Sequence, residues 1–129
     1  MQKASTKRIG TVCFIIEDKK VLLALIEYSK NDRKWNGIGG FVEPNEAPED
    51  AVVREINEET FIKVSKNDLA RVKELDLDIR LIIFKTNKWS GELKTKDQSL
   101  KELKWFSFDE IPYGQMHKGN SDWIPELFK

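Results

Sequence analysis

The chain has 129 residues, with 22 Lys plus Arg against 22 Asp plus Glu, a composition that predicts one folded domain over residues 1–129. The net charge of zero, the lack of an apolar run as long as a membrane span and the lack of a signal-peptide pattern argue against nucleic-acid and membrane partners, and we expect a cytoplasmic protein. Cys13 is the single cysteine and His117 the single histidine, which excludes an internal disulfide and argues against a structural zinc site.

Two apolar segments near the start of the chain predict two β-strands. Residues 9–16 and 21–27 are rich in β-branched and aliphatic side chains, and a charged turn separates them. Both are apolar on both faces over much of their length, which is typical of a sheet covered on its two sides. Residues 28–34 then form a predicted polar loop with the cations Lys30, Arg33 and Lys34. These cations either serve solubility or attract phosphate near an active site.

A glycine-rich segment, WNGIGG, follows this loop. Gly37, Gly39 and Gly40 allow backbone conformations, and a close approach by a ligand, that other residues prevent. Three glycines are a weak signal by themselves, because a tight structural turn would also explain them.

The next segment predicts an amphipathic α-helix that begins near Ala47. Pro48 suits the first helical position, where its missing N–H costs nothing, and acidic residues in the first turn meet the positive end of the helix dipole. On such a helix Glu55, Glu58 and Glu59 fall within an arc of about 100°, beside the apolar face. The three carboxylates therefore flank the buried side of the helix.

This crowding of carboxylates requires a counter-charge. Like charges three or four residues apart destabilise a helix by about 0.2–0.5 kcal/mol per pair, and partial burial adds to that cost. Arg54 can neutralise one carboxylate. Mg²⁺ binds oxygen ligands of this kind together with water and substrate phosphate. The pattern is open to two interpretations, a divalent-metal site and a solvated acidic helix.

The remainder of the chain predicts further strands and short turns. Residues 63–74 are ambiguous between an edge strand and a loop, whereas residues 75–83 alternate apolar and polar side chains with the period of a strand. We predict a turn at Ser90-Gly91, a strand over residues 103–108, a turn or single helical turn over 109–112, and a short helix in SDWIPELF. Strands before and after one strong helix predict an α/β domain with a mixed sheet between helices.

The segment from Gly40 to Ile62 resembles the Nudix box, Gx5Ex7REUxEExGU, in which U is an aliphatic residue. The residues that match its positions are Gly40, Glu46, Arg54-Glu55-Ile56, Glu58-Glu59 and Ile62. One position departs from it, since Phe61 replaces a glycine that suits a left-handed residue at a helix C-terminus. We therefore expect the helix to run on or to end by another route.

The likeness extends along nearly all of the chain and points to the MutT-type subgroup, which sanitises oxidised purine nucleoside triphosphates. It rests on the segments RKWNGIGGFVEPNE, KWFSFDEIP and IPYGQMHKGNSDWIPELF. The resemblance implies a Nudix-type α/β/α sandwich with a central mixed β-sheet. It also implies a Mg²⁺-dependent pyrophosphohydrolase, with Mn²⁺ as a candidate substitute, that converts a nucleoside triphosphate into a nucleoside monophosphate and pyrophosphate. A modified purine is one candidate base.

The resemblance also implies roles for individual residues. The expected metal ligands are Glu55, Glu58 and Glu59, with Glu46 directly or through water, and a backbone carbonyl of Gly39 or Gly40. The expected catalytic residues are Glu58, Glu59, Glu55 and Arg54, with Glu58 or Glu59 as the general base and Arg54 orienting a glutamate. The expected substrate-binding residues are Asn36, Gly39, Gly40, Thr11, His117, Asn120 and Trp123.

Two parts of this expected site depart from the subgroup. His117 stands at an aromatic position, and Gly119-Asn120 replaces two aspartates that grip the base, so the base preference does not carry over. Leu100 occupies the place of a further glutamate ligand, with Asp97 and Glu102 nearby.

Ordinary structural roles remain open for three of the expected substrate residues. Asn36 would also serve as a turn cap, Trp123 as a core residue and His117 as an exposed loop residue.

Three functions are open from the sequence. The first is hydrolysis of a nucleoside triphosphate. The second keeps that chemistry and changes the substrate to another nucleoside diphosphate derivative, such as a nucleotide sugar or a dinucleotide. The third is a nucleotide-binding Nudix module without turnover. We expect a small-molecule nucleotide as the partner, and a monomer or homodimer.

Overall fold

A mixed β-sheet lies at the centre of the computed structural model, which describes residues 7–128. The strands and the helix are β1 (Ile9–Glu17), β2 (Lys20–Ser29), β3 (Asp32–Asn36), α1 (Pro48–Glu59), β4 (Thr60–Lys63), β5 (Ala70–Asp76), β6 (Arg80–Thr86), β7 (Ser90–Thr95) and β8 (Leu100–Ser107). Short 3₁₀ segments span Lys66–Asp68, Tyr113–Gln115, Asn120–Asp122 and Ile124–Phe128. Over residues 7–128, no helix combines the length and the apolar character that crossing a bilayer requires.

The main sheet has six strands in the order β3-β2-β1-β6-β5, with β8 also paired to β2, and β4 and β7 form a separate two-stranded sheet. β1 and β6 are parallel, with Ile9 opposite Arg80 and Ile15 opposite Thr86. The other pairs in the main sheet are antiparallel. Layers of structure cover both faces of β1, which explains why its sequence is apolar on both sides.

Two apolar cores lie on opposite faces of this sheet, because successive side chains of a strand point to opposite sides. Cys13 and Ile15 of β1 belong to the first core, where Ile56 of α1 also packs. Phe14 belongs to the second core, which the 3₁₀ segments close with Trp123 and other apolar side chains. The predicted sandwich around a mixed sheet is confirmed, with 3₁₀ segments forming its second outer layer. The predicted C-terminal helix is the 3₁₀ segment Ile124–Phe128.

Residues 75–83 do not form one strand, contrary to the prediction. β5 ends at Asp76 and β6 begins at Arg80, and the Leu77 N–H donates to the Ile79 carbonyl oxygen at 2.9 Å in the tight turn between them. The prediction was wrong because the alternation of apolar and polar side chains continues through the turn. No glycine or proline marks it in the sequence.

Other boundaries also differ from the prediction. The polar loop over residues 28–34 is a short hairpin turn, since β2 continues to Ser29 and β3 begins at Asp32. Ser90-Gly91 is the start of β7, where Gly91 has a φ of 94° and lies opposite Ile62 next to a bulge. Glycine signals such a bulge as well as a turn, and the sequence does not distinguish the two.

The helix α1 ends without the glycine that Phe61 replaces. Thr60 adopts an extended conformation, with φ −141° and ψ 175°, and the chain enters β4 at once. The Thr60 hydroxyl donates to the Ile56 carbonyl oxygen at 2.7 Å and accepts from the Ile62 N–H at 3.0 Å. The residue with a left-handed conformation in this region is Gly91 on the partner strand β7, with a φ of 94°. A Cβ there would lie 2.1 Å from the Phe61 carbonyl oxygen.

Thr60→Val is expected to lower the free energy of unfolding by about 1–3 kcal/mol, because the isosteric valine leaves the buried Ile62 N–H without its acceptor. Denaturant unfolding measures the change. Thr60→Ser keeps the hydroxyl and is expected to lose less stability than Thr60→Val. An equal loss in the two variants would show that the hydroxyl does not secure the helix exit.

Candidate active site

The glycine loop is fixed to the start of β1 by Thr11. The Thr11 backbone N–H and its hydroxyl both donate to the Gly40 carbonyl oxygen at 2.8 Å. A Cβ on Gly39 would lie 2.1 Å from the Thr11 carbonyl oxygen, so the loop approaches the strand more closely than any other residue allows. Thr11, predicted to bind substrate, therefore holds the loop in place and lines the smaller cavity described below.

Helix α1 places Glu55 directly over this loop. A Cβ on Gly40 would lie 2.3 Å from the Glu55 carboxyl carbon, so the side chain occupies the space that a larger residue would fill. Burial raises the pKa of Glu55, and the hydrogen bond from Arg54 opposes this rise. The absence of a side chain at Gly40 is thus what lets the carboxylate contact the loop.

Arg54 joins several acidic side chains. Its Nε and Nη2 donate to the two carboxylate oxygens of Glu46 at 2.8 and 3.0 Å, and its Nη1 donates to Glu55 at 2.9 Å and to Glu58 at 3.3 Å. The Arg54 hydrogen bonds hold the pKa of Glu46 at about 2, and the same contacts raise the pKa of Arg54. Its Nη2 also donates to the Phe41 carbonyl oxygen at 3.1 Å. Arg54 therefore ties the helix to the loop as well as orienting glutamates.

Glu59 is the carboxylate of the site that has no ion pair with any cation of residues 7–128. Its Oε2 is buried and has no hydrogen-bond partner within residues 7–128. Burial is the main reason why the pKa of Glu59 rises to about 8, and the negative charges of Glu55, Asp97 and Glu58 raise it further. A cation or a proton is required at this position, because an unpaired buried carboxylate is costly.

The site has the oxygen ligands that a metal ion needs, but its carboxylates are not yet arranged around one point. Within residues 7–128, no three His, Cys, Asp or Glu side chains already form a metal-binding group, because Arg54 draws carboxylates toward itself. The unpartnered Oε2 of Glu59 and the half-buried Glu55 are nevertheless the hard oxygen donors that Mg²⁺ takes. The Gly40 carbonyl already accepts two hydrogen bonds from Thr11, whereas the Gly39 carbonyl accepts none within the described residues. Of the two predicted backbone carbonyl ligands, that of Gly39 is therefore the one more available to a metal ion.

Two cavities meet at the glycine loop. The larger has a volume of about 780 Å³ and is lined by charged residues that include Arg8, Glu46 and Glu55. The smaller, about 210 Å³, is mainly apolar and contains Asn36 and Tyr28. Both are lined by Gly39, Gly40, Phe41 and Glu59. The unpartnered carboxylate therefore lines both the cavity with the charged residues and the smaller, mainly apolar one.

The structure separates the predicted substrate-binding residues into two groups. Asn36 lines the smaller cavity together with Tyr28, and its Oδ1 accepts from the Gly37 N–H at 2.8 Å. Trp123 is buried in the second core, 6.0 Å from the ring of Phe14, and Asn120 is also buried. Neither of these two, nor His117, is among the residues that line the two cavities.

Tyr28 is a cavity residue that the sequence did not indicate. Burial raises its pKa, and its ring packs in a T-shaped contact with the ring of His117, 4.9 Å between centroids. His117 itself has a lowered pKa because it is partly buried. An aromatic residue at the start of a predicted polar loop carries no local signal of a cavity, so only the position of β2 identifies it.

Asp97 and Glu102 are the candidates for a further metal ligand. Of the two, Asp97 is the one whose negative charge raises the pKa of Glu59. It accepts from the Ser99 N–H and hydroxyl at 2.8 Å, and the backbone N–H groups of Lys96 and Asp97 donate to the Glu59 carbonyl oxygen at 2.7 and 3.3 Å. Leu100 is buried in the first core, and Glu102 is exposed on β8. The loop before β8 is thus attached to the end of α1.

Comparison with known proteins places the site in context. A model of the NUDIX domain matches residues 6–127. An oxidized purine nucleoside triphosphate hydrolase of Danio rerio is 29% identical over 130 residues, which cover 96% of this chain and 81% of that protein. An NAD-capped RNA hydrolase of Saccharomyces cerevisiae is 33% identical over 124 residues, covering 81% of this chain and 32% of the yeast protein. The crystal structure of a MutT NUDIX hydrolase from Burkholderia pseudomallei superposes with a TM-score of 0.74 at 22% identity, covering 96% of each chain.

Proposed function

This chain belongs to the Nudix family and is a Nudix hydrolase, and from that premise we propose that it is a Mg²⁺-dependent pyrophosphohydrolase of nucleoside triphosphates. Mn²⁺ is the candidate substitute, and the products are a nucleoside monophosphate and pyrophosphate. The observation that carries the proposal is the buried, unpartnered Oε2 of Glu59 at the junction of the two cavities.

Glu55 and Glu59 are the proposed principal ligands, with the Gly39 carbonyl beside them. When bound there, the metal ion would neutralise phosphate oxygens and lower the pKa of a bound water. Glu59 needs a counter-charge at its buried Oε2, and Glu55 is already held over the glycine loop. Glu46 is fully engaged by Arg54, so its proposed role is to fix that arginine and, through water, to support the site.

Glu58 is the proposed proton acceptor. Its side chain is 57% exposed, and its Arg54 contacts of 3.3 Å are longer than those of Glu46. An exposed carboxylate with one weak ion pair can turn toward an attacking water, whereas Glu59 lacks that freedom. Arg54 holds Glu55 and the loop in register while Glu58 takes the proton.

The smaller cavity is the proposed nucleoside site. Asn36 offers a donor and an acceptor, and the ring of Tyr28 offers an aromatic surface beside Ile79 and Leu81. The Danio rerio relative is named for oxidized purine nucleoside triphosphates, so a modified purine is the first base to test, although Gly119-Asn120 replaces the two aspartates of the subgroup. The larger, charged cavity would then receive the phosphates.

A second candidate substrate is another nucleoside diphosphate derivative. The larger cavity, at about 780 Å³, has room for more than phosphates beyond the metal site. The yeast relative is named for the hydrolysis of NAD-capped RNA, in which a diphosphate joins two nucleosides. This candidate keeps the same ligands and proton acceptor, and differs only in the group that occupies the larger cavity.

A nucleotide panel with Mg²⁺ tests the two candidates, with phosphate and pyrophosphate release measured separately. The panel contains ordinary and oxidised purine triphosphates, nucleotide sugars and dinucleotides. Pyrophosphate from a triphosphate is the expected result. Turnover confined to diphosphate-linked compounds would establish the second candidate, and binding without any turnover would contradict both. Glu59→Gln in parallel excludes a contaminating phosphatase.

A further inference from the structure

Arg8 differs from the other arginines of the chain in its charge pairing. Four arginines form ion pairs with glutamates, namely Arg33 with Glu27, Arg54 with Glu46, Arg71 with Glu49 and Arg80 with Glu74. Arg8 has no carboxylate partner within residues 7–128. Arg8 is exposed to solvent, so its guanidinium is accessible to a ligand that enters the larger cavity.

The Arg8 guanidinium is nevertheless held in place. Its central carbon lies 3.5 Å from the centroid of the Phe41 ring, a cation–π contact. Phe41 directly follows the glycine loop, and its backbone carbonyl accepts from Arg54. A guanidinium stacked on a ring keeps its N–H donors at the edges, where they match the oxygens of a phosphate. Arg8 is thus oriented by a ring and not by a counter-ion.

The position of Arg8 relative to the carboxylates suggests what its donors serve. Arg8 lines the larger cavity with Glu55 and Glu59, and it is not among the residues that line the nucleoside cavity with Asn36. A nucleotide that spans the junction at Gly40 would have its far phosphates in the larger cavity. The negative charge of those phosphates would supply the counter-charge that Arg8 does not receive from a carboxylate of residues 7–128.

We propose that Arg8, stacked on Phe41, binds the terminal phosphates of the substrate, the pair that becomes the pyrophosphate product. This inference rests on the proposed function, because it assigns the pyrophosphate product to the larger cavity. It makes Arg8 a binding residue for a phosphate chain and gives Phe41 the role of orienting it. Lys7 also lines this cavity and pairs with Asp76, so among the described lining residues Arg8 is the cation without a carboxylate partner.

A simpler role for Arg8 makes a different prediction. An arginine that only offsets the negative charge of Glu43, Glu46, Glu55 and Glu59 would oppose metal binding. Its removal would then tighten Mg²⁺ binding and leave the affinity for pyrophosphate, at saturating Mg²⁺, unchanged. The two roles are therefore separable by titration.

The test measures the binding of each reaction product to the full chain by calorimetry in saturating Mg²⁺. Arg8→Ala is expected to weaken pyrophosphate binding by about 10- to 100-fold, the effect of losing charge-assisted hydrogen bonds, and to change nucleoside monophosphate binding by less than about twofold. Arg8→Lys keeps the charge without the planar fork and is expected to restore only part of the loss. Phe41→Leu removes the ring and is expected to weaken pyrophosphate binding by a smaller factor.

Arg80→Ala is the matched control. It removes the same charge from a residue in the neighbouring strand that is paired with Glu74 and lies outside the larger cavity. Unchanged pyrophosphate binding in Arg8→Ala, or an equal loss in Arg80→Ala, would overturn the proposal. An Arg8-dependent pyrophosphate site in a chain that hydrolyses no triphosphate would sustain the role of Arg8 and refute the proposed function.

Discussion

Glu59→Gln is expected to lower kcat for triphosphate hydrolysis by at least about a hundredfold and to weaken Mg²⁺ binding in the absence of substrate. Glutamine keeps the shape of the side chain and removes the charge that would hold the cation. The effect should be large because Oε2 of Glu59 is buried without a hydrogen-bond partner in the described part of the chain. Steady-state kinetics and a calorimetric titration with Mg²⁺ measure the two changes.

Glu58→Gln is the matched comparison on the same helix. Its carboxylate is exposed and contacts Arg54, so we expect kcat to fall by a similar factor while Mg²⁺ affinity changes less. That contrast separates a proton acceptor from a ligand. Near-normal turnover in both variants would refute the assignment of α1 as the catalytic centre.

The metal-free protein is expected to lose stability as the pH rises from about 5 to about 8. Burial raises the pKa of Glu59 from 4.5 to about 8, so between these values the folded protein holds a proton that the unfolded chain has released. Rising pH then favours the unfolded chain, by about 1–2 kcal/mol once screening by solvent is allowed for. Thermal unfolding with a chelator present measures this trend. Glu59→Gln should flatten it, and an undiminished decline in that variant would assign the effect to another group.

Gly40→Ala is expected to reduce Mg²⁺ affinity and kcat by about tenfold or more each while the protein still folds. The new methyl group would lie 2.3 Å from the carboxyl carbon of Glu55, so that side chain must leave its place over the loop. A flexible side chain can move without unfolding the backbone, so the damage is confined to the site. Kinetics, Mg²⁺ titration and a thermal melt together distinguish local displacement from unfolding.

Gly114→Ala is the control for this substitution. A Cβ at Gly114 would have no neighbour within 4 Å, so the same chemical change is expected to leave both kcat and Mg²⁺ affinity unaltered. A Gly40→Ala variant with normal metal affinity would show that the position of Glu55 over the loop is not required.

The sequence by itself determined the features that depend on local spacing. The period of α1 put Glu55, Glu58 and Glu59 on one flank of a helix, and the apolar run of β1 predicted a strand covered on both faces. The match to the Nudix box, which is also a pattern of fixed spacings, added Arg54 to this set of site residues. Residues a few positions apart on a regular element have fixed relative directions, so such features are legible without a fold.

The tertiary structure decided the features that join distant parts of the chain. It placed Arg8 on Phe41 and brought Tyr28 to the cavity of Asn36. It also showed that the left-handed glycine near the helix exit is Gly91 on another strand. It also buried Trp123 in the core. These contacts depend on strand register and on which loops meet, and no local period encodes either. The buried carboxylate of Glu59 depends on both the sequence and the tertiary structure. The spacing placed it on the flank of α1, and the packing of the fold buried it away from solvent.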